Sequence, residues 1–292
     1  MAEIVYINGL LVPRSEARIS VFDHGFLYGY GLFETMRAYD GAIFLLERHL
    51  DRLSKSAKSI GIELSGTDLS QACCDALKAN ELQSARIRLT VSHGDSGAFP
   101  WQETDCQPTV VITARDYQPY PPEVYQKGFK AGVSSFTRSR HSSVGGIKST
   151  NYLISILARR EITSRGLDEA ILLNEGGYVT EGSTSNVFFV KSSGLVTTPL
   201  ESGILPGITR ALVIEIAGML GISVMEDNIT PADIHHFDEA FLTNSTMEIM
   251  PLISTIGRDG KETIIGSGEA GVITQQLISA YKERVVKETG KQ

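Results

Sequence analysis

The chain has 292 residues, of which 42% are hydrophobic and 21% charged. This composition is typical of a globular protein and argues against a disordered or coiled-coil chain. At about 150 residues per domain, the length predicts two domains. The formal net charge is −7 and no cluster of Lys or Arg stands out, which disfavours a nucleic-acid-binding protein.

The amino terminus lacks the basic start and apolar core of a signal peptide. No apolar run approaches the roughly 20 residues that a membrane span requires. The three cysteines, Cys73, Cys74 and Cys106, do not have the spacing of metal ligands. These features predict a cytoplasmic protein with reduced thiols, no bound metal and no membrane association.

The first half of the chain mixes strand and helix patterns. Alternating apolar residues predict strands over 4–7, 10–12, 32–39, 42–46, 85–92 and 108–114. Apolar residues at near-helical spacing predict helices over 46–60 and 67–80. The turn Asn8-Gly9 joins the first two strands, and a loop over 93–107 joins the last two.

The second half repeats this mixture after a proline-rich segment, Gln118-Pro-Tyr-Pro-Pro122. The predicted strands lie at 128–135, 170–190 (a hairpin), 223–227 and 239–242. The predicted helices lie at 150–165, 208–220, 231–237 and 271–287. Antiparallel hairpins among helices indicate an α+β protein with a domain over 1–117, a linker over 118–126 and a second domain over 127–292. No GxGxxG motif follows a strand, so a dinucleotide site has no support.

One lysine lies in an unusual setting, Gly145-Gly-Ile-Lys-Ser-Thr-Asn-Tyr152. Most single lysines are solvated surface charges. Here a glycine pair precedes Lys148 and hydroxyl residues follow it, which suits a backbone that approaches a ligand closely. Lys148 is therefore a candidate amine nucleophile toward a carbonyl carbon.

Three further segments provide groups that could bind a cofactor. Thr180-Glu-Gly-Ser-Thr-Ser-Asn186 offers a carboxylate that could pair with a cationic ring nitrogen. Gly203-Ile-Leu-Pro-Gly-Ile-Thr-Arg210 leads into a helix whose first N–H groups can bind an anion. Thr243-Asn-Ser-Thr-Met-Glu248 adds hydroxyls after a strand, although an ordinary Ser/Thr turn explains it equally well. Each signal is modest when taken alone.

Taken together, a lysine, a carboxylate and two anion-binding turns match what pyridoxal phosphate requires. Arg52, in the predicted helix over 46–60, could add bidentate recognition of the phosphate. In this interpretation the lysine forms a Schiff base, the carboxylate keeps the ring nitrogen protonated, and the turns hold the phosphate.

At these residues the chain resembles the class IV aminotransferases, which are fold-type IV pyridoxal-phosphate enzymes. The likeness runs from Tyr6-Ile-Asn-Gly9 to the last helix. It includes Phe22-Asp-His-Gly-Phe-Leu-Tyr-Gly-Tyr-Gly-Leu-Phe-Glu-Thr-Met-Arg37 and Ser245-Thr-Met-Glu-Ile-Met-Pro251. The resemblance implies a small amino-terminal α/β domain and a larger carboxy-terminal domain. It also implies a homodimer in which the loop over 93–107 closes the partner's substrate pocket.

The resemblance also assigns roles to individual residues. Lys148 corresponds to the catalytic Schiff-base lysine, and Glu181 to the partner of the ring nitrogen. The remaining cofactor contacts that it implies are Arg52, Tyr152, Leu205, Ile208, Thr209, Ser245 and Thr246. Tyr152 lies one residue closer to the lysine than its counterpart in typical branched-chain enzymes.

The implied substrate-binding residues are Tyr28, Phe33, Arg37, Arg86 and Arg88. Arg37 and Arg88 correspond to arginines that assist glutamate or 2-oxoglutarate binding in branched-chain enzymes. Arg86 lies two residues before Arg88, so it should face the same side of a strand. Any of these arginines could instead be a surface charge or an ion-pair partner. Guanidinium groups aimed into a cleft would suit a dicarboxylate acceptor.

Three reactions remain open at this point. Transamination of branched-chain L-amino acids with a 2-oxo acid such as 2-oxoglutarate ranks first. An aminodeoxychorismate lyase that releases pyruvate ranks second, because its substrate is also a dicarboxylate. A D-amino acid or (R)-amine transaminase ranks third, since the loop over 93–107 lacks the arginine of the usual D-specific site. A non-catalytic binding module is disfavoured by the intact Lys148 and Glu181.

Overall fold

The computed structural model describes residues 3–102, 106–139 and 145–290. The chain divides into two compact units. The first unit contains residues 1–118, 147–151 and 285–292, and the second contains 119–146 and 152–284. The predicted loop over 93–107 lies partly outside the described residues, which do not include 103–105.

The described part of the first unit is built on one six-stranded antiparallel sheet with the order β2-β1-β6-β5-β3-β4. Its strands are β1 (Ile4–Ile7), β2 (Leu10–Pro13), β3 (Gly31–Tyr39), β4 (Ala42–Ile43), β5 (Ala85–Ser92) and β6 (Thr109–Asp116). Its helices are α1 (His24–Tyr28), α2 (Leu46–Ser59) and α3 (Leu69–Ala79).

Alternation along the strands separates the two faces of this sheet. One face carries Leu32, Met36, Ile87 and Leu89, which are almost completely buried in a core that also contains Leu53 of α2. The other face carries four of the predicted substrate-binding residues, Phe33 and Arg37 of β3 and Arg86 and Arg88 of β5. The hydrophobic pattern therefore determines which side chains remain outside the core.

The described part of the second unit contains a nine-stranded mixed sheet with the order β12-β11-β10-β13-β14-β7-β8-β9, in which β15 also pairs with β14. Its strands are β7 (Phe129–Thr137), β8 (Glu169–Leu173), β9 (Val179–Gly182), β10 (Asn186–Lys191), β11 (Gly194–Thr197), β12 (Val224–Glu226), β13 (Glu239–Asn244), β14 (Glu248–Ile256) and β15 (Glu262–Ile264). Its helices are α4 (Pro122–Lys127), α5 (Leu153–Thr163), α6 (Ile208–Met219) and α7 (Val272–Thr289), the last of which ends in residues of the first unit.

The structure differs from the sequence-based elements in several places. The predicted hairpin over 170–190 is wrong, because this segment forms three strands, of which β8 and β9 pair while β10 pairs with β11 and β13. Residues 122–126 of the predicted linker lie in α4. Residues 147–151 and 285–292 belong to the first unit, and not to the unit that follows the linker. Whether the two units fold as independent domains stays a prediction.

The sequence analysis predicts no strand over Glu248–Ile256, where the structure has β14. Pro251 in this strand cannot donate a ladder hydrogen bond, which is unusual inside a sheet. Pro251 lies just before the point at which β14 begins to pair with a second strand. It pairs with Phe241 of β13, and pairing with β7 begins at Leu252. A proline is tolerated at this position because the parallel ladder starts only after it.

None of the helices in the described part of the chain combines the length and the hydropathy needed to span a bilayer.

The second unit depends on a buried aromatic pair, which yields a stability prediction. Phe188 and Phe241 lie directly opposite each other on β10 and β13, with ring centroids 5.0 Å apart and no solvent exposure. Phe241→Ala should lower the free energy of unfolding by about 3–5 kcal/mol, because it removes buried surface and leaves a cavity. Met225→Ala, at a side chain that is 54% exposed, should change it by less than about 0.5 kcal/mol. Urea denaturation of both variants measures the difference, and equal effects would contradict this account.

Candidate active site

Lys148 is held by strand-like pairing at the start of β3. Phe33 N–H donates to the carbonyl of Lys148 at 2.9 Å, and Thr150 N–H donates to the carbonyl of Gly31 at 2.9 Å. The Nζ atom of Lys148 lies 4.4 Å from the centroid of the Phe33 ring, within the range of a cation–π contact. The lysine is therefore oriented by a sheet edge and by an aromatic ring, and not left on a solvated loop.

Gly31 allows this pairing because of its missing side chain. A Cβ at this position would lie 2.8 Å from the carbonyl oxygen of Val91 and 3.3 Å from Oγ1 of Thr150. The first distance is shorter than real Cβ contacts allow, and its partner is backbone that cannot move away cheaply. The glycine thus lets the segment around Lys148 and strand β5 approach β3 from both sides.

Three arginines share the face of the sheet that points away from the hydrophobic core. Arg37 of β3 lies directly opposite Arg86 of β5 in the register, and Thr35 lies opposite Arg88. Residues that are directly opposite in an antiparallel pair project to the same face. The guanidinium of Arg88 lies 3.8 Å from the centroid of Phe33, the ring that also contacts Lys148.

The arginines differ in exposure. Arg37 is 7% exposed and lies 4.2 Å from the ring centroid of Tyr39, whereas Arg86 is exposed. Guanidinium groups that share one face can bind a carboxylate by charge-assisted hydrogen bonds. Tyr28, the fifth predicted substrate contact, is half exposed at the end of α1 and makes an edge contact with His24.

Arg52 lies on α2 and forms a two-point ion pair with Glu34 of β3. Its Nε donates to Oε1 at 2.8 Å and its Nη2 donates to Oε2 at 2.6 Å. Nδ1 of His49, three residues earlier on the same helix, lies 2.7 Å from Oε2 of Glu34. Glu34 and His49 are 1% and 2% exposed. The three side chains form a buried cluster within the first unit.

Opposing effects determine the charges in this cluster. Burial alone would raise the pKa of Glu34, but hydrogen bonds from His49 and Arg52 and the charge of Arg52 outweigh it and bring the pKa to about 2. Burial lowers the pKa of His49, and Glu34 offsets this only in part. At neutral pH the cluster therefore consists of a carboxylate, a guanidinium and a neutral imidazole that donates from Nδ1.

Glu181 of β9 is a buried carboxylate with three partners in the second unit. Its Oε2 accepts hydrogen bonds from the N–H of Leu205 at 3.0 Å and from Nδ2 of Asn186 at 3.1 Å. Its Oε1 lies 2.6 Å from Nη1 of Arg138. Arg138 also donates from Nε to the carbonyl of Gly203 and from Nη2 to the carbonyl of Gly145. The carboxylate is thus fixed in position and balanced by a cation.

The first turn of α6 contains the two residues predicted to hold an anion, Ile208 and Thr209. The helix spans twelve residues, and Gly207 precedes it as the N-cap residue. A Cβ on Gly207 would clash with Oδ1 of Asn186, a side chain that is itself held by Glu181 and the carbonyl of Leu205, so glycine at this position avoids displacing it. Thr209 is buried. The geometry agrees with the general anion preference of helix N-termini.

Ser245 and Thr246 lie in the turn between β13 and β14. Thr246 donates from its N–H and from Oγ1 to Oδ1 of Asn244, which also accepts the N–H of Met247. This is the side-chain-bound turn that the sequence allowed as the simpler explanation. These local hydrogen bonds account for the Thr246 hydroxyl, and a ligand-binding role for Ser245 and Thr246 stays a prediction.

Tyr152 precedes α5, and its hydroxyl donates to the carbonyl of Ser183 at 3.3 Å. Burial and the carboxylates of Glu181 and Glu169 raise the pKa of Tyr152 to about 12. The phenol is therefore neutral over the physiological range.

Glu169 of β8 explains the hydroxyl residues after Glu181. Its carboxylate is completely buried, lies 2.7 Å from Nη1 of Arg159, and accepts from the hydroxyls of Ser183, Thr184 and Ser185. The sequence motif suggested that these small side chains leave space for a ring. The structure shows that they satisfy a buried charge and thereby shape the turn next to Glu181.

Several residues of these clusters were missed by the sequence analysis. Arg138, Glu169, Arg159 and His49 lie outside the motifs discussed above. Glu34 lies within one of them but was given no role, because the importance of each residue comes from its partner in the fold. A systematic search of the sequence for a counter-ion to each carboxylate could have drawn attention to these residues. Within the described residues, no group of three or more His, Cys, Asp or Glu side chains is arranged to hold a metal ion.

Each unit, taken by itself, contains groups of the kinds that pyridoxal phosphate requires. The first unit provides the amine of Lys148 beside an aromatic ring and the guanidinium of Arg52. The second unit provides a buried carboxylate at Glu181 and a glycine-led helix N-terminus at Gly207. Amine, carboxylate and phosphate-binding groups are the donor set that this cofactor requires.

Comparisons with known proteins agree with this chemistry. Residues 31–255 match the family model described as amino-transferase class IV. A branched-chain-amino-acid aminotransferase of Pseudomonas aeruginosa is 36% identical over 295 residues, which cover 98% of this chain and 94% of the relative. An aminodeoxychorismate lyase of Bacillus subtilis is 35% identical over 286 residues, which cover 97% of this chain and 94% of the relative.

Two solved structures show the same fold. The crystal structure of the Escherichia coli branched-chain amino acid aminotransferase aligns with a TM-score of 0.91 at 32% identity, over 100% of this chain and 97% of that one. The T.th. branched-chain amino acid aminotransferase complexed with N-(5'-phosphopyridoxyl)-L-glutamate aligns with a TM-score of 0.88 at 33% identity, over 100% and 96%. The predicted two-domain, fold-type IV α+β architecture is confirmed by these neighbours.

The buried cluster around Glu34 makes the stability of the protein depend on pH. Because the folded pKa of about 2 lies below the ordinary value of 4.5, the ionised carboxylate contributes fully above pH 4.5. That contribution is lost as the pH falls from about 4.5 to about 2, and the shift corresponds to about 3 kcal/mol. Glu34→Gln should therefore unfold more easily than the wild type at pH 7, by about that amount.

The difference between the two proteins should shrink steadily over the same acid range, as measured by urea denaturation at each pH. Glu262→Gln is the control, since its side chain lies at an exposed ion pair with Lys130. A difference between wild type and Glu34→Gln that stays constant down to pH 2 would show that the charge of Glu34 is not responsible.

Proposed function

Because the chain belongs to the amino-transferase class IV family and is a pyridoxal-phosphate-dependent enzyme of that class, we propose that it transfers an amino group between a branched-chain L-amino acid and a 2-oxo acid such as 2-oxoglutarate. The arrangement that carries the proposal is the sheet face on which Lys148 and Arg88 contact the same Phe33 ring. A reactive amine beside cationic groups suits a substrate that carries carboxylates.

The branched-chain preference is supported by the relatives. The Pseudomonas aeruginosa and Escherichia coli proteins named above carry the branched-chain name, and this chain aligns with both over nearly its full length. The dicarboxylate acceptor is supported by the charges of the chain itself. Arg37, Arg86 and Arg88 share one face of the sheet, and two guanidinium groups can bind the two carboxylates of 2-oxoglutarate separately.

Lys148 is the residue proposed to bond the cofactor covalently and then to act on the substrate. When bound, pyridoxal phosphate supplies an aldehyde that takes up amines and a ring that withdraws electrons. Once its Nζ is free, Lys148 would take the proton from the substrate α-carbon as a general base and pass it to the cofactor within the same half of the reaction, and the second half would run these transfers in reverse. Phe33 holds this amine in place by contact with its ring.

The other proposed contacts bind and orient. Glu181 would pair with the protonated ring nitrogen, and its bonds to Leu205, Asn186 and Arg138 keep the carboxylate in one position. We assign Tyr152 and Leu205 to the ring on the basis of the family resemblance. The phosphate would be bound by Arg52, by Ile208 and Thr209 in the first turn of α6, and by Ser245 and Thr246 in the turn before β14.

The assembly of the protein is also part of the proposal. The family resemblance predicts a homodimer in which the loop over 93–107 reaches the partner's substrate pocket. Phe99 and Trp101 in that loop are exposed, with stacked rings 4.9 Å apart, which is consistent with burial against a second copy. A cytoplasmic location stays a prediction from the sequence.

A second candidate function is supported by one specific similarity. The Bacillus subtilis aminodeoxychorismate lyase matches this chain as extensively as the Pseudomonas aeruginosa aminotransferase does. Elimination of pyruvate would use the same lysine, and its substrate is also a dicarboxylate. The arginines therefore do not distinguish the two reactions, and only the products do.

A panel of half-reactions tests the proposed function. The absorbance of the bound cofactor is followed after addition of L-leucine, L-glutamate, D-alanine, D-glutamate or an (R)-amine, and pyruvate release is measured with aminodeoxychorismate. We expect L-leucine and L-glutamate to convert the cofactor. Conversion by the D-substrates alone would overturn the proposal, and pyruvate release without amino transfer would favour the lyase.

Replacement of Lys148 tests the role of its amine. Lys148→Ala should lower the rate of amino transfer by at least about 10²–10⁴-fold, the usual contribution of a positioned base. Borohydride treatment should fix the cofactor to the wild-type protein at Lys148, located by peptide mass spectrometry, and should fix none to the variant. Lys55→Ala, at an exposed lysine, is the matched control and should behave as the wild type. Undiminished transfer by Lys148→Ala would contradict the proposal.

The exposed Arg86 provides a test of acceptor recognition. Arg86→Ala should raise the KM for 2-oxoglutarate by about tenfold or more, since a charge-assisted hydrogen bond is worth about 1.5–3 kcal/mol. The KM for a monocarboxylate acceptor, 4-methyl-2-oxopentanoate, should change little. Arg14→Ala is the control, because Arg14 is also exposed and pairs with Glu3. An equal effect on both acceptors would exclude a role in binding the second carboxylate.

A further inference from the structure

The buried cluster of Glu34, His49 and Arg52 suggests a role that the proposed reaction does not use. Glu34 lies on β3 between Phe33 and Thr35, but the alternation of the strand turns it to the opposite face, toward α2. His49 and Arg52 are three residues apart on α2, so both reach this one carboxylate.

Two-point pairing constrains the guanidinium more strongly than a single bond would. Oε1 and Oε2 of Glu34 accept hydrogen bonds from Nε and Nη2 of Arg52. These two bonds fix both the plane of the guanidinium and its rotation about the side chain. An arginine that is held in this way binds a further anion with less loss of side-chain freedom.

His49 constrains the carboxylate in turn. Its Nδ1 lies 2.7 Å from Oε2, the oxygen that also accepts Nη2 of Arg52. With both carboxylate oxygens engaged and all three side chains largely buried, the carboxylate has little freedom to rotate. His49 therefore helps to fix the carboxylate of Glu34, and Glu34 fixes the guanidinium of Arg52.

We propose that Glu34 and His49 are positioning residues that hold Arg52 in the orientation in which it binds the phosphate group of the cofactor. This inference rests on the phosphate-binding role of Arg52 in the proposed function. Neither Glu34 nor His49 needs to contact the cofactor itself. The effect of both residues should therefore depend on the phosphate and on the presence of Arg52.

The alternative role of the cluster is purely structural, and the two roles predict different results. A cluster that only stabilises the first unit would affect all ligands equally. A cluster that positions Arg52 would affect pyridoxal phosphate and leave pyridoxal, which lacks the phosphate, nearly unchanged. The affinity ratio of the two ligands therefore separates positioning from general stability.

The experiment starts from purified holoenzymes, which are resolved and titrated with pyridoxal phosphate or pyridoxal while the absorbance of the bound ligand is followed. Glu34→Gln and His49→Leu should each raise the Kd of pyridoxal phosphate by about tenfold, and that of pyridoxal by less than about twofold. His49→Asn should restore near-wild-type affinity, because its amide can donate to Glu34 in place of Nδ1.

Two further variants complete the design. Arg52→Ala should weaken binding of pyridoxal phosphate selectively, and adding Glu34→Gln to it should cause no further loss, as expected of residues that act through one another. Asp51→Asn is the matched control. It removes one carboxylate next to Arg52 in sequence, at an exposed position that pairs with Lys55, and should leave both affinities unchanged.

Each outcome has a distinct meaning. If Arg52→Ala leaves the ratio of the two affinities unchanged, the phosphate-binding role of Arg52 fails, and this inference fails with it. If Arg52→Ala changes the ratio while Glu34→Gln and His49→Leu do not, the proposed role of Arg52 stands and the positioning role is overturned. If Glu34→Gln does not fold, the comparison of His49→Leu with His49→Asn decides by the same ratio.

Discussion

The hydrogen bonds between residues 147–151 and the start of β3 are the interaction on which the candidate active site of the first unit depends. They bring a segment from far along the chain into the sheet and set Lys148 against Phe33. Gly31 makes the approach possible, because any side chain there would collide with the carbonyl of Val91. A lysine on a free loop would lose far more conformational freedom when it binds a ligand.

Buried carboxylates paired with arginines recur throughout the molecule. Glu34 pairs with Arg52 in the first unit, whereas Glu181 pairs with Arg138 and Glu169 with Arg159 in the second. A buried charge is costly unless its partners satisfy it, so each carboxylate also accepts hydrogen bonds from neighbouring groups. These pairs fix the orientation of side chains, among them Arg52 and Glu181, which are proposed to bind the cofactor.

The same β3 strand serves two purposes because successive residues face opposite sides. Phe33 and Arg37 face away from the hydrophobic core, among the groups proposed to meet the substrate, whereas Glu34 faces α2. A shift of the register by one residue would exchange these roles completely. The hydrophobic residues Leu32, Met36 and Ala38 prevent such a shift, since their burial depends on the present register.

The sequence by itself determined the mixed α+β class and most of the helices, because these features depend on local patterns. It also singled out the segments around Lys148, Glu181 and Gly207, because they contain the residue types that a specific cofactor requires. Helix α2, for example, was predicted over 46–60 and is found at Leu46–Ser59. Only the tertiary structure decided that residues 147–151 join the first unit, that 170–190 forms three strands, and that Arg138, Glu169 and Glu34 complete the charge pairs. Those outcomes depend on which group elsewhere in the fold a strand edge or a carboxylate meets, such as Arg52 for Glu34, 18 residues away in the chain. No local pattern of hydrophobicity or residue type encodes that choice.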